Sequence, residues 1–171
     1  MIKIKLIGIN ELDETYFLEY LQAWTTVGES VAPSACLLEG TFTEWKAKQE
    51  DILRANSTPE GIVRAETRFL TEDNGYVLGA VNLRYALTED LLRYGGHLSF
   101  GVRPDARKKG YAFIMLKLSF NVLRVHGITR ALITSRRDNK AARSVIKKIG
   151  GQLENSYEQD GDVIDRYWIS L

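Results

Sequence analysis

Ile2, Ile4 and Leu6 alternate with Lys3 and Lys5, and a period of two at the start of the chain predicts a β-strand. The period then lengthens. Asn10 and Asp13 have the spacing of a helix start, after which Leu12, Tyr16, Phe17, Tyr20, Leu21 and Trp24 share one helical face. Periodicity is lost over residues 25–40, a stretch with two glycines, Pro33 and Cys36, and it returns behind Thr41 and Glu44, a capping-box pair. Phe42, Trp45, Gln49, Ile52 and Leu53 trace this second helix. After a break at residues 56–61, two strand-like runs, 62–70 and 76–84, flank Glu72-Asp73-Asn74-Gly75, and Asn-Gly is a strong hairpin signal.

A polar connection over residues 87–96 leads to a third run, 97–103, which Pro104 ends because proline cannot donate to a sheet ladder. A basic turn follows, then a helix with Tyr111, Ile114, Met115, Leu118, Val122 and Val125 on one face and Gly127 as its left-handed stop. Residues 130–135 read as a strand which, reached through that helix, should run parallel to the 97–103 strand. Asp138 or Asn139 starts a last helix with Ala142, Val145, Ile146 and Ile149 inward; strands 152–159 and 163–170 close the chain around Asp160-Gly161. The predicted fold class is α/β (α+β), one domain over residues 1–171, with a mixed sheet of about seven strands and about four helices.

At 44% hydrophobic and 26% charged residues, the composition is that of a globular chain and argues against the disordered and membrane classes. The lone Cys36 has no disulfide or metal-ligand companion, and no leader opens the sequence, so a cytoplasmic location without metal is expected. Net charge is only +1, yet residues 103–148 hold 13 Lys and Arg against 2 acids, +11, leaving −10 for the rest. Such segregation suggests a polyanionic ligand at one part of the fold. The most specific place for it is residues 102–112, where a strand runs through Arg107, Lys108, Lys109 and Gly110 into Tyr111, Ala112 and a long helix. The free N–H groups and dipole of a helix start favour an anion, and glycine permits close approach.

Arg107-x-x-Gly110-x-Ala112, between strand and helix, resembles the Q/R-x-x-G-x-G/A signature of the GNAT superfamily of acetyl-CoA-dependent N-acetyltransferases. Asn139-x-x-Ala142, opening a helix that ends at Gly150, is similar to that superfamily's second cofactor element, and the order of elements agrees across the chain. The resemblance implies acetyl-CoA as co-substrate, its pyrophosphate on the backbone of Lys108, Lys109, Gly110, Tyr111 and Ala112, with Arg107 beside it. It also implies pantetheine pairing with the backbone of Phe100 and Val102, contacts from Asn139 and Arg143, and neighbouring parallel strands that splay to admit the arm. The partner implied is an amine of a small molecule or peptide, with no nucleic acid and no membrane, and a homodimer is allowed.

An alkyl ammonium of pKa about 10.4 must lose its proton before it attacks, a deficit of roughly 4 kcal/mol at neutral pH. Relatives often place a carboxylate early on the central strand; His97 stands there and is the catalytic candidate, able to accept a proton near pH 7. His126, in a last helical turn, reads as a partner of the helix dipole. Ile146 occupies the place of the tyrosine that protonates the departing thiolate in many relatives, leaving Tyr111, Tyr157 or water for that step. A strand N–H near Val102 would polarise the carbonyl. The resemblance places residues 25–40 at the acceptor site, where Glu29 is the first acid and no acidic cluster marks a polycation; Arg84 and Tyr85 are further candidates for the cleft. Two functions follow: N-acetyl transfer to a primary amine, or, because of Ile146, a catalytically silent acyl-CoA-binding sensor.

Overall fold

A computed structural model describes residues 3–56, 61 and 63–171. Ile2, Ile62 and most of the break at residues 56–61 lie outside the described residues. The strands are β1 (Ile4–Ile7), β2 (Ala65–Glu72), β3 (Val77–Arg84), β4 (Leu98–Val102), β5 (Arg130–Arg136), β6 (Gln152–Gln159) and β7 (Asp162–Ser170); the helices are α1 (Glu14–Thr26), α2 (Phe42–Arg54), α3 (Tyr111–Val125) and α4 (Lys140–Lys148). One seven-stranded sheet has the order β1-β2-β3-β4-β5-β7-β6. Every pairing is antiparallel except β4 with β5, the pair joined through α3.

Local chemistry sets most boundaries. The Asp13 carboxylate caps α1 by accepting from the N–H groups of Thr15 and Tyr16, and Thr41 with Glu44 forms the capping box of α2. Some expected boundaries move. β2 runs on to Glu72 because its last residues pair with β1, Ile4 lying opposite Glu72. The third run loses both ends: the His97 N–H donates to the Leu132 carbonyl at 2.7 Å, outside the β3 ladder, and Arg103 precedes a 3-10 turn at Pro104–Ala106.

The two sheet faces bury different helices, and this positions everything below. Val81, Leu83, Leu98 and Ile133 pack with Met115 and Leu116 of α3 and Ile146 of α4. On the other face, Phe69, Val77 and Ala80 pack with Phe17 and Tyr20 of α1 and Trp45 of α2. Phe17 stacks on Trp45 with ring centres 4.4 Å apart.

The loop over residues 27–41 belongs to this second layer. Tyr20 donates its hydroxyl to the Ala32 carbonyl at 2.6 Å, Trp45 Nε1 donates to the Ala35 carbonyl at 2.9 Å, and Cys36 is fully buried, which pushes its thiol pKa up and keeps it protonated. The loop passes so close to β4 that a Cβ on Gly101 would sit 2.3 Å from the Ala32 oxygen. Gly101→Ala should therefore push the loop off the strand at a cost of about 1–3 kcal/mol in urea unfolding. Unchanged stability would mean that this contact does not fix the loop.

Candidate active site

The site begins where β4 and β5 part. Leu98 opposite Ile133 is the parallel register that joins them, and beyond it neither strand has its partner across the gap. Strand residues point their backbone groups alternately to the two sides, and the Arg103 N–H donates to Leu78 of β3 at 3.0 Å. Phe100 and Val102, out of phase with Arg103, therefore turn their N–H and C=O groups toward the gap. Their side chains pack on the α3 layer, whereas Ser99 and Gly101 face the α1–α2 layer.

A cleft of about 250 Å³ passes through this gap. On the α4 side it is lined by Leu98, Phe100, Ser135, Asn139 and Ala142, and on the other by Arg84, Tyr94, Gly95, Ser99, Thr134 and Arg136. Tyr94 and Gly95 belong to a one-turn π-helix, Leu91–Gly95, held against β5 by the Thr134 hydroxyl, which donates to the Tyr94 carbonyl at 2.6 Å. No periodicity announces such a turn, so Tyr94 had no signal in the sequence.

The basic turn lies past the far end of β4. Gly110, at φ +83°, is the N-cap of α3, and no side chain caps this helix; α1, α2 and α4 are each capped by a side chain, from Asp13, Thr41 and Asn139. The first amides of α3 are thus left for a ligand. Lys108 also takes a left-handed conformation, φ +63°, and Lys108, Lys109 and Gly110 are exposed. Tyr111 and Ala112 are half-buried in the first turn. A pyrophosphate fits this place by uncapped amides, two ammonium groups that form no ion pair among the described residues, and an open glycine face, where an added Cβ would meet nothing within 4 Å.

Arg107 corrects the expectation of a third free charge. Its guanidinium donates to both Glu29 oxygens, at 2.9 and 2.5 Å, and lies 5.1 Å from the Trp24 ring centre. The hydrogen bond from Arg107 holds the Glu29 carboxyl below its usual range, so the pair is ionised and neutral overall. It also ties the 27–41 loop to the turn. Their 78-residue separation hides this pairing from local reading.

Asn139 caps α4, its Oδ1 accepting from the Ala142 N–H at 3.0 Å, while it lines the cleft. Arg143 turns inward: Nε donates to the Tyr167 hydroxyl at 3.2 Å and Nη1 to the Arg137 carbonyl at 2.8 Å, and Nε lies 3.4 Å from Oδ2 of buried Asp165 without hydrogen-bond geometry. It braces α4 against β7.

His97 also departs from its expected part. It is 8% exposed, does not line the cleft, and its Nδ1 accepts from the Leu132 N–H at 2.9 Å. That bond leaves the proton on Nε2 and gives β5 an acceptor where strand pairing fails. Burial, and then the charge of Arg84, push its pKa down to about 4, far too weak a base for an ammonium group. Ile146 is fully buried in the core. Tyr157 packs edge-on to Tyr94, ring centres 6.0 Å apart, and His126 stacks on Tyr85 at 3.8 Å with Nδ1 2.9 Å from the Val122 carbonyl. Among the described residues no group of three or more His, Cys, Asp or Glu is placed to hold a metal, and no helix is long and apolar enough to cross a membrane.

Comparison with known proteins agrees with this architecture. A search of curated proteins gives no match. Solved structures with a similar fold include a spermidine/spermine N-acetyltransferase from Vibrio cholerae, 11% identical with TM-score 0.64 over 98% of this chain and 95% of that one. Another is the Salmonella typhimurium acetyltransferase that modifies the N-terminal serine of ribosomal protein L7/L12, 15% identical with TM-score 0.65 over 98% and 95%. A third, described as an acetyltransferase from Salmonella typhimurium with its cofactor acetyl-CoA, is 12% identical with TM-score 0.64 over 98% and 93%. The model of the acetyltransferase (GNAT) family matches residues 32–151, which span the later part of the loop, the parted strands, the basic turn and α4, and the chain therefore belongs to the GNAT acetyltransferase family.

Proposed function

We propose that this protein transfers the acetyl group of acetyl-CoA directly to a primary amine. The observation that carries the reading is the gap between β4 and β5, which opens to both sheet faces and runs toward an uncapped, cationic helix start. An arm entering from the α4 side and an amine entering from the α1–α2 side would meet within it. Acetyl-CoA, when bound, supplies a thioester whose thiol has a pKa near 8.5 and leaves as thiolate without obligatory protonation.

The protein's own part is positioning. The backbone of Phe100 and the N–H of Val102 face the gap and are suited to an extended arm, while the Val102 carbonyl accepts from Arg107 Nε at 3.3 Å, and a preorganised N–H there would serve a developing oxyanion. Lys108, Lys109 and the amides from Gly110 to Ala112 are suited to the pyrophosphate, with Asn139 across the cleft. On the acceptor side Tyr94 lines the cleft, with its hydroxyl donated to the Glu158 carbonyl at 3.5 Å and its ring packed on Tyr157, so departure as thiolate does not depend on this phenol. The fold relatives named above act on two different classes of amine, so the acceptor is not transferred from either.

Free thiol released from acetyl-CoA in the presence of an amine panel tests the function. Release is expected; tight coenzyme A binding with no release across a broad panel would instead support the silent sensor, for which buried Ile146 is the favouring observation. With no carboxylate lining the cleft and Nδ1 of His97 engaged, the acceptor's own ammonium should control the rate. The logarithm of kcat/KM should then climb with near-unit slope from about pH 6 to 9. A plateau beginning near pH 6.5 would restore an enzyme base to the mechanism.

A further inference from the structure

The geometry points to an acceptor that carries a carboxylate beside its amine, an amino acid in the chemical sense, bound through Arg84 on the α1–α2 face of the cleft. This rests on the acetyl-transfer reading above. Arg84 ends β3, with its N–H donating to the His97 carbonyl at 2.8 Å, and its neighbour Leu83 lies opposite Leu98, the last residue before the gap. Nη1 donates to the carbonyls of Gly95 and Gly96, both at 3.1 Å, which orients the guanidinium fork while leaving other donors to the cleft.

No ion pair among the described residues includes Arg84, and no Asp or Glu lines the cleft. The second cleft arginine is different, because Arg136 pairs with Asp138 at 2.8 Å and Asp162 at 3.1 Å. Desolvation lowers the Arg84 pKa, but guanidinium stays charged at neutral pH. A desolvated cation held in a fixed fork without a counter-ion is costly on its own and complementary to a ligand that brings one.

Two other anions or cations compete for this place. The phosphates of coenzyme A belong to the turn beyond Val102, and the stretch of chain from His97 to Val102 spans about 17 Å. Arg84 also shares a strand face with Asn82, two residues away, whose amide reaches Thr67 in the α2 layer, so it stands on the face opposite Asn139 and α4. A polyamine would meet one uncompensated positive charge and no carboxylate. An α- or β-amino carboxylate instead places its anion on Arg84 and its nitrogen a few bonds away, beside Ser99 at the mouth of the gap.

The test follows thiol release from acetyl-CoA with glycine, L-methionine, L-phenylalanine and L-glutamate, their α-methyl esters, putrescine and spermidine. At least one acid should exceed its ester in kcat/KM by about tenfold to a hundredfold, the range of a charged hydrogen bond. The less basic amine of an ester favours the ester chemically, so the comparison is conservative. Arg84→Gln should bring acid and ester close to parity, chiefly through KM, and Arg84→Lys should keep part of the preference. Esters or polyamines used as well as the acids would overturn the carboxylate assignment and leave acetyl transfer standing. No thiol release above background with any of these amines would overturn both. The acid-to-ester comparison needs only the wild-type chain, so a poorly folding Arg84 variant does not remove the test.

Discussion

Gly110→Val is expected to lower coenzyme A affinity by about tenfold to a hundredfold, while Gly127→Val, at the other end of the same helix, leaves affinity unchanged. The two glycines make a matched pair. Their φ values are +83° and +78°, and a Cβ added at either would meet nothing within 4 Å. Each substitution therefore imposes the same kind of backbone strain, about 1–2 kcal/mol in a left-handed conformation, and each should lower Tm by about 2–8 °C. Only Gly110 adjoins amides that no side chain caps, so only there would a branched side chain cover the groups assigned to the pyrophosphate. Titration calorimetry with coenzyme A reads the difference directly. Equal affinities for both variants, at equal loss of Tm, would remove the phosphate from the turn.

How much of this was legible depends on the range over which each feature is encoded. Capping by Thr41 and Glu44, the turn at Asn74-Gly75, the uncapped start at Gly110 and the parallel pair joined by α3 all follow from residues a few positions apart or from chain connectivity. Even the parting of β4 and β5 was an implication of family resemblance that the register then displays. The failures have the opposite character. Arg107 reads as a free charge because its partner, Glu29, lies on another element, and the inward bond of Arg143, implied by the resemblance only as a cofactor contact, is hidden because Tyr167 lies two strands later. His97 has the right place on the chain for a base, but its chemistry is decided by a backbone N–H 35 residues away. Tyr94 stands in a π-helical turn that carries no repeat, and the singular feature of Arg84, the lack of a counter-ion, is a property of its surroundings.

His97→Ala should cost about 1–3 kcal/mol of stability at pH 7.5, and that cost should shrink toward zero by pH 4.5. At neutral pH the substitution leaves the buried Leu132 N–H without its acceptor and opens space beneath Trp168, whose ring centre is 6.3 Å from the imidazole. The pH dependence comes from linkage. In the folded chain the histidine pKa is held down to about 4, by burial first and by Arg84 second, whereas in the unfolded chain it is about 6.5. Above pH 6.5 neither state binds the proton and the full stabilisation is present. As pH falls from 6.5 toward 4 the unfolded chain takes up a proton that the native imidazole refuses, so stability declines, by on the order of 2–3 kcal/mol at pH 4.5. Alanine cannot titrate, so the variant lacks this decline and its curve converges on that of wild type; carboxylates titrate in both and cancel in the difference. Urea unfolding at the two pH values measures it. Parallel stability curves would show that His97 titrates normally, which would reopen its candidacy as a base. Convergence, together with a rate profile that shows no break near pH 6.5, places the histidine in the framework that holds the strands apart rather than in the chemistry between them.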